Sequence, residues 1–207
     1  MPARRPLVIG LTGSIGMGKT ETARMFARLG VLVHDADVAV HRLYEPGGKA
    51  VSAVARVFPD CVNHGRVDRT CLAARVRDPK ALAQLEAIVH PLVEKAQQAF
   101  IAQASRGGAE LVVLDVPLLY ETGAEARMDV VVVVSAPEDI QRARVLARPG
   151  ISEAMLDRIL ERQMPDVDKR ARAHFVVETG KGLEHAFAQV ESIVKALRAR
   201  GEGGGDA

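Results

Sequence analysis

Five short apolar runs punctuate the chain: Leu7–Leu11, Val31–His34, Leu111–Val116, Val130–Val134 and Phe175–Val177. Most are continuous rather than alternating. A strand that is apolar at nearly every position is covered on both faces, as in a parallel sheet with helices on each side. Between these runs, apolar residues return at helical spacing over Thr20–Leu29, Lys80–Gln103, Pro137–Ala147, Ser152–Gln163 and Leu183–Arg200. Strands alternating with helices predict a doubly wound α/β fold around a five-stranded parallel sheet.

Two intervals break the alternation. Pro46–Arg106 is too long for a simple crossover and shows a helical pattern with little strand signal, so it reads as a helical insertion on the substrate side. The stretch "RPGISEAMLDRILERQMPDVDKR" opens on a Pro-Gly turn, is rich in arginine, and reads as a mobile lid. The expected organisation is a single domain over 1–200. Its core covers about 5–45, 107–148 and 170–200, with the insertion at 46–106 and the lid at 149–169. The tail "GEGGGDA", 201–207, has nothing to pack and is expected to be disordered.

Composition narrows the function classes. A net charge of +2 is too slight to argue for nucleic acid or an anionic membrane as partner. "MPARRP" is basic, but the apolar stretch behind it runs straight into a glycine loop and does not read as a signal peptide. Val130–Val134 is far too short to span a bilayer. Cys61 and Cys71 do not make a disulfide framework, which favours a reducing compartment. A cytoplasmic protein with no membrane, nucleic-acid or obligatory protein partner is expected.

The chemistry begins at "GSIGMGKT", which matches G-x-x-x-x-G-K-[ST] between a strand and a helix. Gly13, Gly16 and Gly18 allow a tight turn that brings backbone N–H groups to phosphate oxygens, with Ser14, Ile15 and Met17 between them. Lys19 supplies charge to the β- and γ-phosphates. The Thr20 hydroxyl is placed to ligate Mg²⁺, and the amides of Thr20 and Glu21 open the helix. A GTPase should carry N-K-x-D, which occurs nowhere; a motor ATPase should carry Glu after the strand-end Asp115, where Val116 stands. A small-molecule kinase with a P-loop NTPase-type core fits best. Asp115 itself reads as a Walker-B-type carboxylate that holds Mg²⁺ through water.

"VLVHDADVAV" puts Asp35 and Asp37 at the end of the second strand, where ligands gather in a doubly wound sheet. One of them could accept a proton from an attacking hydroxyl; alternatively, Asp37 caps the following helix. His90-Pro91 sits inside a helical pattern that the proline should end or kink. Arg144 and Arg148 are four apart and share one face if the helix holds both.

Taken in order, "IGLTGSIGMGKTETA", "DAD", "HPLV", "DVPLLYE" and "RARVLARPGIS" resemble dephospho-CoA kinase over nearly the whole chain. The resemblance implies transfer of a phosphoryl group from ATP to the ribose 3′-hydroxyl of dephospho-CoA, giving CoA and ADP. It implies Asp37 as catalytic base, with Asp35 holding local geometry, and Arg144 and Arg148 as lid arginines beside the transferring group; Arg158 and Lys169 are weaker candidates. It also brings His90, Pro117, Leu118 and Glu121 towards the acceptor. The family often has Arg four positions after the base, where this chain has His41, and Asp-Asn where this chain has Glu178-Thr179, so no side-chain reader of adenine is named. Cys61, His64 and Cys71 lack a fourth ligand and do not make a zinc site. Another nucleoside or nucleotide kinase is the nearest rival, and a nucleotide-binding switch is the rival from another class.

Overall fold

The apolar runs become strands, each within a residue or so of the expected bounds. The structure, a computed structural model, describes residues 4–202. β1 (Leu7–Thr12) leads through the glycine loop to α1 (Lys19–Arg28), then β2 (Leu32–Asp35), α2 (Ala36–Tyr44) and α3 (Val51–Val57). A hairpin of β3 (Val62–Asn63) and β4 (Arg66–Val67) is followed by α4 (Arg69–Arg75) and α5 (Pro79–Arg106). β5 (Leu111–Asp115), β6 (Val130–Ser135), α6 (Glu138–Leu146), α7 (Glu153–Leu160), α8 (Asp166–Ala171), β7 (Phe175–Glu178) and α9 (Leu183–Glu202) complete the order.

The parallel sheet runs β2-β5-β1-β6-β7. β1 lies at its centre, pairing Leu7 with Leu111 on one side and Ile9 with Val130 on the other. The continuous apolar runs are therefore two-sided, as read: β5 and β6 are buried along their whole length. The loop after the central strand leaves the sheet beside the ends of β5 and β6, which brings Lys19 to Asp115 at the end of β5.

The chain forms two compact units, one of residues up to His34 and from Gln103 onwards, the other Asp35–Ala102. The first contains the sheet, with Ile9, Phe26, Val132 and Leu197 in its core. The second has its own core around Leu43, Val54, Cys61, Val67 and Leu72. The expected insertion at 46–106 thus corresponds to a unit that already begins at Asp35 and takes in α2.

Several expectations change. The insertion contains a strand pair after all: His64 and Gly65 have φ of 50° and 72°, the two positive values that a tight hairpin turn requires. α5 continues through Pro91 rather than ending there, without the bond the missing N–H would have given. α6 stops at Leu146, so Arg148 lies beyond it and does not share a helical face with Arg144. Asp35, not Asp37, caps α2 by accepting from the Val38 N–H at 3.0 Å. Cys61 and Cys71 are joined as a disulfide with Cα atoms 5.3 Å apart, so cysteine usage does not argue for a reducing compartment. Of the supposed tail, 201–202 belong to α9, and 203–207 lie outside the described residues.

Candidate active site

In the sheet-bearing unit, the glycine loop takes its shape from residues that cannot be replaced without strain. Gly16 has φ of 78° and Gly18 has φ of 98°, both in the left-handed region. A Cβ on Gly16 would also meet Val145 Cγ2 at 2.5 Å. Gly18 caps α1 without a side chain, leaving the first amides of the helix directed at whatever binds the loop.

The loop is held from three directions by side chains that its own motif does not contain. Gln141 of α6 donates through Nε2 to the Ile15 carbonyl at 2.7 Å. The Ile15 N–H donates to Gln163 Oε1, from the turn after α7, at 3.1 Å. Thr179, just past β7, donates its hydroxyl to the Met17 carbonyl at 2.6 Å. Gln141 and Gln163 were not identified from sequence, and Thr179 was noted beside Glu178 without this role, because nothing in local spacing connects them to a loop far away in the chain.

Arg144 belongs to the same junction. Its guanidinium donates to Thr179 Oγ1 at 2.9 Å and to the Thr179 carbonyl at 2.8 Å. Thr179 therefore has a defined task in this chain where the family often has an amide side chain. Arg148, by contrast, is exposed, and so is Arg158, which turns back on its own helix to the Ala154 carbonyl at 3.1 Å.

Lys19 forms an ion pair with Asp115 at the end of β5. The carboxylate is nearly buried and the ammonium mostly so, with side-chain exposures of 6% and 16%. Thr20 and Glu21 are exposed at the start of α1, and Glu21 pairs with Arg24. Oxygen donors at Thr20 and Asp115 suit a hard cation such as Mg²⁺.

Glu121 is engaged within the chain. Its Oε1 accepts the Met164 N–H at 2.8 Å and lies 2.8 Å from the Lys169 ammonium, which is fully buried. The ammonium makes a close ion pair there, though off the line that a hydrogen bond prefers. Burial alone would raise the Glu121 pKa; Lys169 and the Met164 amide outweigh it and hold the carboxyl below its ordinary value. Lys169 is thus an internal counter-ion rather than an open lid cation. Beside it, the Ser135 hydroxyl donates to Asp166 Oδ2 at 2.6 Å. The Pro117 carbonyl accepts from Thr12 Oγ1 at 3.1 Å, Leu118 is exposed, and Leu119 is buried.

In the second unit, Asp37 is exposed in the first turn of α2. With Asp35 serving as the cap, the Asp37 carboxylate has no side-chain partner among the described residues. One helical turn on, His41 lies 3.4 Å from Arg69 through Nδ1 and 3.1 Å from Glu45 through Nε2. These residues border a cavity of about 590 Å³, lined also by Tyr44, Asn63 and Arg66. Burial raises the Tyr44 phenol above its ordinary pKa, and Arg69 partly offsets this. His90 is exposed on α5. Arg66 and Arg69 are cationic residues that sequence reading overlooked; Arg66 lies in β4 of the unrecognised hairpin and Arg69 opens α4 just after it.

The family model for dephospho-CoA kinase matches residues 7–185. The dephospho-CoA kinase of Rhodopseudomonas palustris is 53% identical over 190 residues, covering 91% of this chain and 94% of that protein. The dephospho-CoA kinase of Mesorhizobium japonicum is 54% identical over 193 residues, covering 93% and 97%. Among solved structures, TT1252 from Thermus thermophilus has a TM-score of 0.81 at 36% identity, covering 93% of this chain and 98% of that one.

Proposed function

The chain belongs to the dephospho-CoA kinase family, and we propose that Asp37 accepts the proton from the hydroxyl it phosphorylates. The protein is a phosphotransferase that phosphorylates dephospho-CoA in coenzyme A biosynthesis, with ATP as the phosphoryl donor. The observation that carries the proposal for Asp37 is the division of labour at "DAD": Asp35 takes the capping bond, which leaves the Asp37 carboxylate exposed.

In this reading the ATP phosphates lie in Gly13–Glu21, held by loop amides and the α1 N-terminus. The Lys19 ammonium exchanges part of its contact with Asp115 for the β- and γ-phosphates. Asp37 orients the ribose 3′-hydroxyl and takes its proton as the oxygen attacks the γ-phosphorus, and ADP leaves. Arg148 offsets charge on the transferring group, while Arg144 keeps the loop in register through Thr179. The acceptor side draws on His90 and on the cavity edged by His41 and Arg69, with Pro117 and Leu118 as further contacts. Thr20 and Asp115 are the groups that would hold Mg²⁺, which when bound neutralises phosphate charge. Glu121 acts by position, through Lys169.

No helix among the described residues is long and apolar enough to cross a membrane. The cytoplasm is the proposed compartment, because ATP is the donor.

The test is ADP release with ATP and Mg²⁺ across an acceptor panel of dephospho-CoA, nucleosides and nucleotides. Stimulation by dephospho-CoA alone, lost in Asp37→Ala with ATP binding retained, is expected. Full turnover in that variant would remove Asp37 from the reaction.

A further inference from the structure

We propose a second anion-binding site, in a cavity at the amino ends of the sheet strands, for a phosphate monoester carrying an apolar body. The cavity measures about 660 Å³, within the range of small-molecule sites. It opens where β1, β5 and β6 begin and where α5 and α9 end. The glycine loop, Asp115 and Thr179 all follow carboxyl ends of strands, so this cavity is no part of the phosphoryl-transfer site in the same unit.

Its lining has two characters. The apolar floor presented to a ligand is the half-buried Leu7, backed by buried Leu111 and Leu197. Around it, among the described residues, stand Arg4, Arg5, Arg106, Arg198 and Arg200, against Glu110 and Asp129. Both acids are already committed. Asp129 pairs with Arg5 at 3.0 Å and accepts the Val8 N–H at 2.7 Å; Glu110 lies 3.6 Å from Arg198. Among the described residues, Arg106 and Arg200 have no such acidic partner.

The ordinary explanation for a basic residue in the last turn of a helix is the negative end of the helix dipole, and it applies to Arg106 on α5 and Arg200 on α9. It does not explain why both surround one apolar concavity with further arginines on the β1 leader. Guanidinium groups suit phosphate, whose oxygens accept two parallel N–H bonds. Backbone amides at the strand starts are already used, Leu7 donating to Glu110 and Asp129 to Val8, so recognition falls to the arginines. The leucine floor selects a ligand with a hydrocarbon portion over a bare anion.

The experiment is a ¹H–¹⁵N NMR titration of the full chain with octyl phosphate below its micelle concentration, with ADP saturating the glycine loop. Octyl glucoside supplies the neutral alkyl control, and inorganic phosphate supplies the bare anion. Expected are saturable shifts at Leu7, Gly108–Leu111 and Asp129, with affinity about tenfold above either control. The Arg106→Gln/Arg200→Gln double variant should lose about tenfold in that affinity while phosphoryl transfer stays unchanged. Equal binding of octyl glucoside would make the cavity a plain apolar crevice and overturn the proposal. So would shifts confined to other segments, undiminished binding by the double variant, or binding only to phosphatidylglycerol vesicles, which would indicate a membrane surface instead.

Discussion

On the proposed reading, the phosphate loop and the Asp35–Ala102 unit, taken as the acceptor side, solve recognition in opposite ways. The loop binds with backbone, so its shape must be set in advance, and Gln141, Gln163, Thr179 and Arg144 hold it from three later segments of the chain. The acceptor side presents exposed side chains, Asp37 and His90 among them, on helices whose own packing is complete without them. Substitutions around the loop should therefore disturb both stability and ATP affinity. Those on the acceptor side should disturb turnover and leave the fold nearly intact.

The largest effect on the loop side is expected at the Glu121–Lys169 pair. Glu121→Ala leaves a fully buried ammonium without its counter-ion, and urea unfolding should show a loss of about 3–5 kcal/mol. The pair also sets a pH dependence. The Glu121 carboxyl titrates below its ordinary value of 4.5 in the folded chain, so its contribution is present above that value and is lost as pH falls through the lower folded one. Glu121→Gln should flatten the acid limb of stability against pH; an unchanged limb would assign it to other carboxylates.

Reduction of Cys61–Cys71 sharpens the comparison from the other unit. The bridge closes a loop with a sequence separation of 10, for which chain entropy suggests a contribution of about 3 kcal/mol. Hydrogen exchange after reduction should speed up in Asp35–Ala102 and leave the sheet protected. Uniform acceleration would mean that the two units do not unfold separately.

A smaller effect is expected at Thr179→Val, which removes the bond to Met17 and the hydroxyl acceptor for Arg144 while keeping the carbonyl one. A loss of about 1–2 kcal/mol with a raised KM for ATP should follow. Arg144→Ala should resemble it, whereas Arg148→Ala should lower kcat at unchanged stability. Matching profiles for the two arginines would erase the distinction between them. Smallest is Gln163→Ala, at about 1 kcal/mol or less, because the Ile15 amide it releases regains a partner in water or phosphate.

Much of the sheet was legible because two-sided burial leaves a continuous apolar trace: β1, β5 and β6 announce themselves. Octet spacing gave the loop equally well, since a phosphate cradle is built from consecutive residues. The β3–β4 hairpin was not legible, because strands of two residues carry no period, and only His64-Gly65 marked the turn. Nor were the roles of Gln141, Gln163 and Thr179, which lie in long-range bonds to carbonyls and amides. Glu121 and Lys169 were seen as separate polar residues; their pairing across 48 positions of chain (169 − 121) is a property of the fold. Capping shows how fine the limit is: both aspartates of "DAD" had the right chemistry, and only the helix start at Ala36 decided that Asp35 takes the bond.

Single-turnover phosphoryl transfer by Asp37→Asn, with ATP affinity measured on the same protein, tests the central claim most directly. The substitution keeps size and removes the proton acceptor. A fall in rate of about 10²–10⁴-fold, with ATP binding unchanged, is the predicted result. A rate within a fewfold of wild type would contradict Asp37 as the base.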